Sequence, residues 1–127
     1  MYNLIKTDDD VRLLEESSNG LHDGIIVSID FQNHGINRTG EYSIAYEHDK
    51  VEMKLRIRVL SDFDKLIELY FKEVQEYRLD SYPFDEFFGF FIEFDTRGYV
   101  TWHDSLPGDC SANFVCAREL SWRIVSE

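Results

Sequence analysis

The stretch that decides the fold is VEMKLRIRVL, residues Val51–Leu60, in which apolar and charged side chains alternate without a break. Successive side chains of a β-strand point to opposite faces of the sheet. One face of this segment is therefore apolar (Met53, Leu55, Ile57 and Val59) and the other is basic (Lys54, Arg56 and Arg58). The pattern predicts a strand with one face in the core and a cationic face in solvent.

Weaker strand patterns lie on both sides of this segment. From Gly24, the set Ile25, Val27, Ile29 and Phe31 alternates with Ile26, Ser28, Asp30 and Gln32, which predicts a half-buried strand. Further strands are predicted at Glu41–Glu47, Phe88–Phe94, Tyr99–His103, Ala112–Ala117 and Leu120–Val125, the second and third of these joined as a hairpin by a turn at Asp95–Gly98. Before them, Asp8-Asp9-Asp10 predicts an acidic N-cap, followed by a short helix that stops at Gly20.

Length and composition agree with this interpretation. The chain has 127 residues, 43% hydrophobic and 30% charged, without a repeat or a low-complexity stretch, which is typical of one globular domain. We therefore expect a single domain over residues 1–127. The predicted fold class is mainly β, or α+β with a minor helix: a single antiparallel sheet, arranged as a sandwich or a half-open barrel, with a short N-terminal helix.

Residues Asp62–Leu79 fit two patterns. Phe63, Ile67, Tyr70, Val74 and Tyr77 are spaced as one stripe of a helix, whereas Ile67, Leu69 and Phe71 are spaced as one face of a strand. The spacing alone favours the helix.

The charge balance restricts the partners. Thirteen basic against 25 acidic residues give a net charge of −12, which repels nucleic acid and anionic lipid. Residues 61–95 contain ten acidic and three basic residues together with several aromatic ones, and such a surface can recognise a basic protein. We predict a partner-binding site formed by Asp80, Tyr82, Phe84, Asp85 and Glu86. The alternative is a solvated acidic face whose aromatic side chains lie in the core.

The sequence contains no pattern that is specific for catalysis. Three His-Asp pairs, at His22-Asp23, His48-Asp49 and His103-Asp104, could supply metal ligands, but each lies at a predicted strand edge or turn, where Asp is favoured for local reasons. Cys110 and Cys116 match no zinc spacing and are expected to be reduced thiols, with Cys116 in the core. We predict no catalytic residue, metal or cofactor. The N-terminus has no pattern of a signal peptide, so we expect a cytoplasmic protein without a membrane span.

The run NGLHDGIIVSIDF, residues 19–31, resembles the opening of a loose group of small bacterial proteins in which a Leu-His-Asp-Gly turn leads into the first long strand. The alternating strand at Met53–Val59 and the segment Ile67–Leu79 also match this group, so that the resemblance covers about two-thirds of the chain. Some of these proteins are similar to immunity proteins of polymorphic toxin systems. The resemblance implies that Ile67–Leu79 is a strand, and we adopt that prediction over the helix.

These observations lead to one functional hypothesis and two alternatives. The hypothesis is a non-enzymatic, immunity-type binding protein that neutralises a basic toxin domain, such as a nuclease, through an acidic and aromatic surface. The first alternative is a small structural or regulatory domain that self-associates through a sheet edge. The second is a metal-dependent hydrolase that uses the His-Asp pairs. Whether the chain forms a homo-oligomer stays open at this point.

Overall fold

Seven strands form one antiparallel sheet, which is not closed into a barrel, in the part of the chain described by the computed structural model. That part comprises residues 1–34, 51–60, 65–79, 89–106 and 113–125. The elements are β1 (Asn3–Ile5), α1 (Asp8–Ser18), a 3₁₀ turn (Asn19–Leu21), β2 (Gly24–Asn33), β3 (Val51–Val59), β4 (Lys65–Arg78), β5 (Phe91–Phe94), β6 (Val100–His103) and β7 (Phe114–Ile124). The strand order is β2-β3-β4-β7-β6-β5, and β1 pairs with β7. The predicted fold class is thereby confirmed.

The core lies on one face of the three central strands. Its fully buried side chains include Leu55 and Ile57 of β3, Leu69 of β4 and Leu120 of β7. Phe71 of β4 contacts Trp102 of β6 edge to face, with ring centroids 6.4 Å apart. Burial of these large apolar groups is the main favourable contribution to folding.

Helix α1 packs on this core through buried Leu14, and it begins with a capping box. Thr7 is the N-cap, its side chain accepts a hydrogen bond from the Asp10 N–H, and the Asp10 carboxylate accepts one from the Thr7 N–H. The predicted acidic N-cap is therefore one residue too late, because Asp8–Asp10 form the first turn. The helix ends at Asn19, which adopts the left-handed conformation before Gly20.

The two longest strands change their buried face halfway along. Buried apolar residues of β4 follow one another at every second position up to Phe71, but the next one is Val74, three positions later. In β7 the same step of three separates Ala117 from Leu120. In β4 the change coincides with Glu73, whose φ of 54° lies in the left-handed region.

Other predictions need correction in detail. Residues 65–78 form a strand, as the resemblance implied, so the helix favoured by spacing is wrong. In β2 the register shifts between Ile26 and Ser28, so Ile26 is buried instead of Ile25, and the strand is mostly exposed beyond that point.

The two strands predicted at Ala112–Ala117 and Leu120–Val125 are one strand, β7. The hairpin is confirmed as β5 and β6, whereas the predicted strand at Glu41–Glu47 lies outside the described residues.

Candidate functional site

Glu68 of β4 is a buried carboxylate on the polar face of the sheet. Its side chain is 1% exposed, and the strand register places Arg56 of β3 and Arg123 of β7 opposite it. The Nε atom of Arg56 donates a hydrogen bond to Oε2 at 2.9 Å, and that of Arg123 donates one to Oε1 at 3.2 Å. The Tyr2 hydroxyl also donates to Oε1. Two arginines and one phenol therefore satisfy the carboxylate from three sides.

The electrostatics of this cluster keep Glu68 charged and Tyr2 neutral. Burial on its own raises the pKa of the Glu68 carboxyl, but the hydrogen bonds from Tyr2 and Arg56 and the charge of Arg123 outweigh it, so the pKa lies below the usual value. Burial and the hydrogen bond to Glu68 raise the pKa of Tyr2 to about 12. A carboxylate with a lowered pKa and both oxygens engaged is poorly suited to take up a proton in general acid–base catalysis.

A second row of side chains extends the polar face beside this cluster. Tyr70 lies between two lysines, with the Nζ atoms of Lys54 and Lys72 at 4.9 and 5.2 Å from its ring centroid. Its hydroxyl donates to Glu52 Oε2 at 2.8 Å. The rings of Tyr70 and Tyr2 are 5.1 Å apart. The predicted cationic face of β3 is confirmed, and its charges are balanced by Glu52 and Glu68.

Concave sites lined by described residues occur both on the polar face and at an edge of the central strands, and the following are examples. A cavity of about 270 Å³ beside Glu68 is lined by Ser28, Asp30, Lys54, Arg56 and Glu68. A groove of about 390 Å³ lies where β1 and β6 meet along β7, and its lining includes Lys6, Phe94, Tyr99 and Arg118. The first has two acidic and two basic side chains and so favours neither sign of charge.

Helix α1 presents the most acidic described surface. It contains five acidic residues and one basic residue, and Leu13 is 49% exposed on its outer side. Asp9 and Glu16 lie four residues before and three residues after Leu13, and therefore on the same helical face. An exposed apolar side chain among carboxylates is a suitable contact for a basic protein.

The second half of β2 is an exposed apolar edge. Ile29 and Phe31 pair with buried Leu55 and Met53 of β3, yet they are themselves 46% and 45% exposed. The ring of Phe31 contacts Tyr77 at 5.6 Å. β2 stands at one end of the order of the described strands.

The predicted site residues lie outside the part of the chain that the structure describes. They are Asp80, Tyr82, Phe84, Asp85 and Glu86. The structure therefore brings none of them into a described site, and their assignment stays a prediction.

The His-Asp pairs take part in local contacts. His22 Nδ1 lies 3.2 Å from the carboxylate of Asp23, which has a φ of 58° in the turn before β2. His103 stacks on Phe91 with ring centroids 4.1 Å apart, and its Nε2 lies 2.8 Å from Glu93. No group of three or more His, Cys, Asp or Glu within residues 1–34, 51–60, 65–79, 89–106 and 113–125 is arranged to hold a metal ion.

Asp104 and Cys116 also have described environments. Asp104 accepts a hydrogen bond from the Asn113 side chain at 3.2 Å. Cys116 is a free thiol and only half-buried, so its predicted place in the core is corrected. The pair His48-Asp49 and Cys110 lie outside the described residues.

Comparisons with known proteins add no family. No family model matches the chain, and neither a curated protein nor a solved structure matches it. Within the described residues, no helix is long and apolar enough to cross a membrane.

Sequence reasoning missed three described features: the buried Glu68 cluster, the exposed Leu13 and the exposed edge of β2. A glutamate between the core positions Ile67 and Leu69 looks like an ordinary solvent-facing residue in a strand pattern. Only the cross-strand register shows that two arginines lie beside it. For the exposed Leu13, the signal in the sequence was an apolar residue placed among the acidic residues of α1.

Proposed function

We propose that this protein is a non-enzymatic, cytoplasmic binding protein of the immunity type, which neutralises a basic toxin domain. The observation that carries the proposal is the distribution of charge over the described structure. The described residues include 15 acidic and 11 basic side chains, a net charge of −4, and α1 alone, with five acidic and one basic, has the same net charge. The described acidity is thus concentrated on one exposed helix.

The first two long strands of the sheet carry a small positive net charge instead. β2 and β3 together contain three basic and two acidic residues, a net charge of +1. A basic partner that approaches the protein is therefore attracted to α1 and away from the cationic face of β3. This polarity would orient the partner before contact, which is how complementary charge raises association rates.

Leu13 supplies a short-range contact for this partner. A binding site needs apolar area that loses water, since exposed charge pairs contribute little affinity of their own. Asp9 is bridged to Arg12 at 3.1 Å, and Glu15 and Glu16 are exposed. The acidic segment with Asp80, Tyr82, Phe84, Asp85 and Glu86 is proposed to extend the same interaction.

The net charge of the partner follows from its proposed chemistry. A nuclease has to attract phosphate groups, so its active site is cationic, and an anionic protein can occlude it. The proposal requires no metal, cofactor or catalytic residue in this chain.

The test is binding to the toxin domain encoded beside this chain, measured by stopped-flow mixing at about 50 and 300 mM salt, on either side of a screening length of ~10 Å. We expect a complex whose association slows at the higher salt. The double variant Glu15→Lys/Glu16→Lys should slow association by about tenfold or more. Leu13→Ala should mainly speed dissociation.

A control of equal charge separates a local site from general attraction. Glu76→Lys/Glu93→Lys changes the net charge by the same amount at exposed positions outside α1, and it should slow association less. The absence of a complex would refute the immunity function. Equal effects of the two double variants would refute α1 as its site.

A further inference from the structure

The groove beside Arg118 lies where two short strands share one edge of β7. β4 pairs with the other edge of β7 over its whole length, so β1 and β6 lie one after the other along the same edge. β1 ends with Ile5 opposite Leu120, and β6 begins with Val100 opposite Ala117. Arg118 therefore stands between the two partner segments, and it lines the groove of about 390 Å³ together with Ile5 and Val100.

Part of the lining is apolar. Ile5 and Val100 are each only 3% exposed, whereas Phe94, which pairs with Val100 across the β5–β6 hairpin, is 40% exposed. Tyr99 adds an aromatic ring to the same lining. The volume lies within the range of about 300–1,000 Å³ in which small molecules are bound, and an apolar body placed here would lose contact with water.

The charged side chains that line the groove are Lys6, Arg118 and Asp95, with a net charge of +1, although the whole chain has a net charge of −12. Asp95 is already engaged within its own turn. Its carboxylate accepts hydrogen bonds from the backbone N–H groups of Arg97 and Tyr99 and from the Arg97 guanidinium, at 2.9–3.2 Å. The groove is therefore a locally basic site on an acidic protein.

The contacts of Arg118 hold it in place and leave donors for a ligand. Its Nη2 donates to the Tyr99 hydroxyl at 3.3 Å, its guanidinium carbon lies 4.9 Å from the centroid of that ring, and its Nε lies 3.7 Å from a carboxylate oxygen of Glu73. Because a guanidinium has five N–H groups, these contacts use at most two of them. A guanidinium that is already oriented loses less freedom when it binds a carboxylate.

We propose that this groove binds a small organic monoanion, whose carboxylate is held by Arg118 and Lys6 and whose apolar or aromatic body lies against Phe94 and Tyr99. A single negative charge matches the net charge of +1. A phosphate monoester, with about 1.5–2 negative charges near pH 7, would be repelled more strongly by Asp95 in the same lining. A free carboxylic acid and the carboxyl terminus of a peptide share the proposed chemistry.

Titration of the isotope-labelled full chain with N-acetyl-L-phenylalanine, followed by two-dimensional NMR of the backbone amides, tests this proposal. We expect saturable shifts that centre on Lys6, Gly98, Tyr99 and Arg118, with a dissociation constant on the order of 1 mM. N-acetyl-L-phenylalaninamide is the matched control ligand, because it has the same apolar body without the charge. It should bind at least about tenfold more weakly, since charge-assisted hydrogen bonds are the stronger ones.

A second acid separates the two sources of the carboxylate. 3-Phenylpropionate has the aromatic body and the charge but no peptide group. Equal affinities of the two acids support a free carboxylic acid as the ligand, and tighter binding of the acetylated amino acid supports a peptide terminus. If neither acid gives saturable shifts in the groove, or if the amide binds as tightly as the acid, the proposal is overturned.

Variants of the two basic side chains locate the carboxylate. Arg118→Gln and Lys6→Gln should each weaken binding of the acid by about fivefold or more. Arg12→Gln is the matched control, because it removes the same charge from α1, where Arg12 is 64% exposed and 3.1 Å from Asp9. It should change the affinity less than about twofold. Equal losses in all three variants would indicate general attraction and would overturn the assignment.

A variant of the apolar lining completes the test. Phe94→Ala should weaken binding of both acids, whereas Leu60→Ala, at a position that is 53% exposed outside the groove, should not. Lys6 and Phe94 are exposed, so these variants should fold even if Arg118→Gln does not, and circular dichroism checks all of them. The site is independent of the proposed immunity function, since its test uses the protein alone with a small molecule.

Discussion

Arg56 donates a hydrogen bond of 2.9 Å to Glu68 from the neighbouring strand, on a sheet face that the sequence pattern assigns to solvent. Glu68 is nevertheless buried, because Arg123 reaches it from the other neighbouring strand and Tyr2 covers it. The guanidinium groups are partly exposed while the carboxylate is not. Arg56 and Arg123 therefore share one buried negative charge.

Replacing this charge should destabilise the fold. Glu68→Gln leaves Arg56 and Arg123 without their common counter-ion, and we expect a loss of about 2–3 kcal/mol, below the ~3–5 kcal/mol of a fully buried pair because both arginines still contact water. Glu119→Gln is the control, since Glu119 lies 3.6 Å from Lys72 at the surface and should cost less than about 1 kcal/mol. Urea unfolding measures both. Equal losses would show that burial of Glu68 is unimportant.

The same carboxylate predicts a dependence of stability on pH. The pKa of Glu68 in the folded protein lies below its ordinary value of 4.5, so its stabilising contribution is present above that value and is lost as the pH falls through the folded pKa. The difference in unfolding free energy between the wild type and Glu68→Gln should therefore be constant near neutral pH and shrink below about pH 4.5. Urea titrations at several pH values measure this difference. A difference that grows on acidification would contradict the assignment.

Replacing Tyr70 and replacing Phe71 should change the free energy of unfolding by very different amounts, because adjacent strand residues point to opposite faces of the sheet. Phe71 is fully buried, and Phe71→Ala should cost about 3–5 kcal/mol. Tyr70→Phe removes the hydrogen bond to Glu52 and should cost only about 0.5–1.5 kcal/mol. Thermal and urea unfolding provide the comparison. Similar large losses from Tyr70→Ala and Phe71→Ala would contradict a strand at this position.

Glu73 should tolerate glycine and reject a β-branched residue. Its φ of 54° is accessible to glycine at no steric cost but is strongly unfavourable for isoleucine. We expect Glu73→Ile to lose about 1–3 kcal/mol and Glu73→Gly to stay near the wild type, since its contact with Arg118 is long, at 3.7 Å. Glu76→Ile, at an exposed strand position, is the control. Equal tolerance of isoleucine at both sites would show that the change of face does not need Glu73.

The spacing of apolar residues predicted correctly those strands in which every second residue is buried from one end to the other. β3 alternates strictly, and its buried and cationic faces are both confirmed. In β4 the change of face at Glu73 breaks the period of two, and the resulting spacing imitates a helix. β7 was divided into two strands for the same reason, since Arg118 and Glu119 interrupt its buried alternation.

The sequence by itself determined the antiparallel β class, the short N-terminal helix, the two faces of β3 and the excess of negative charge, because each depends on residue type and local spacing. Only the tertiary structure decided that Glu68 is buried and that Ile29 and Phe31 stay exposed. The reason is physical: the burial of a strand residue depends on what the neighbouring strands place against it. Arginines from two strands cover Glu68, whereas Ile29 lies on a strand at the end of the described sheet order.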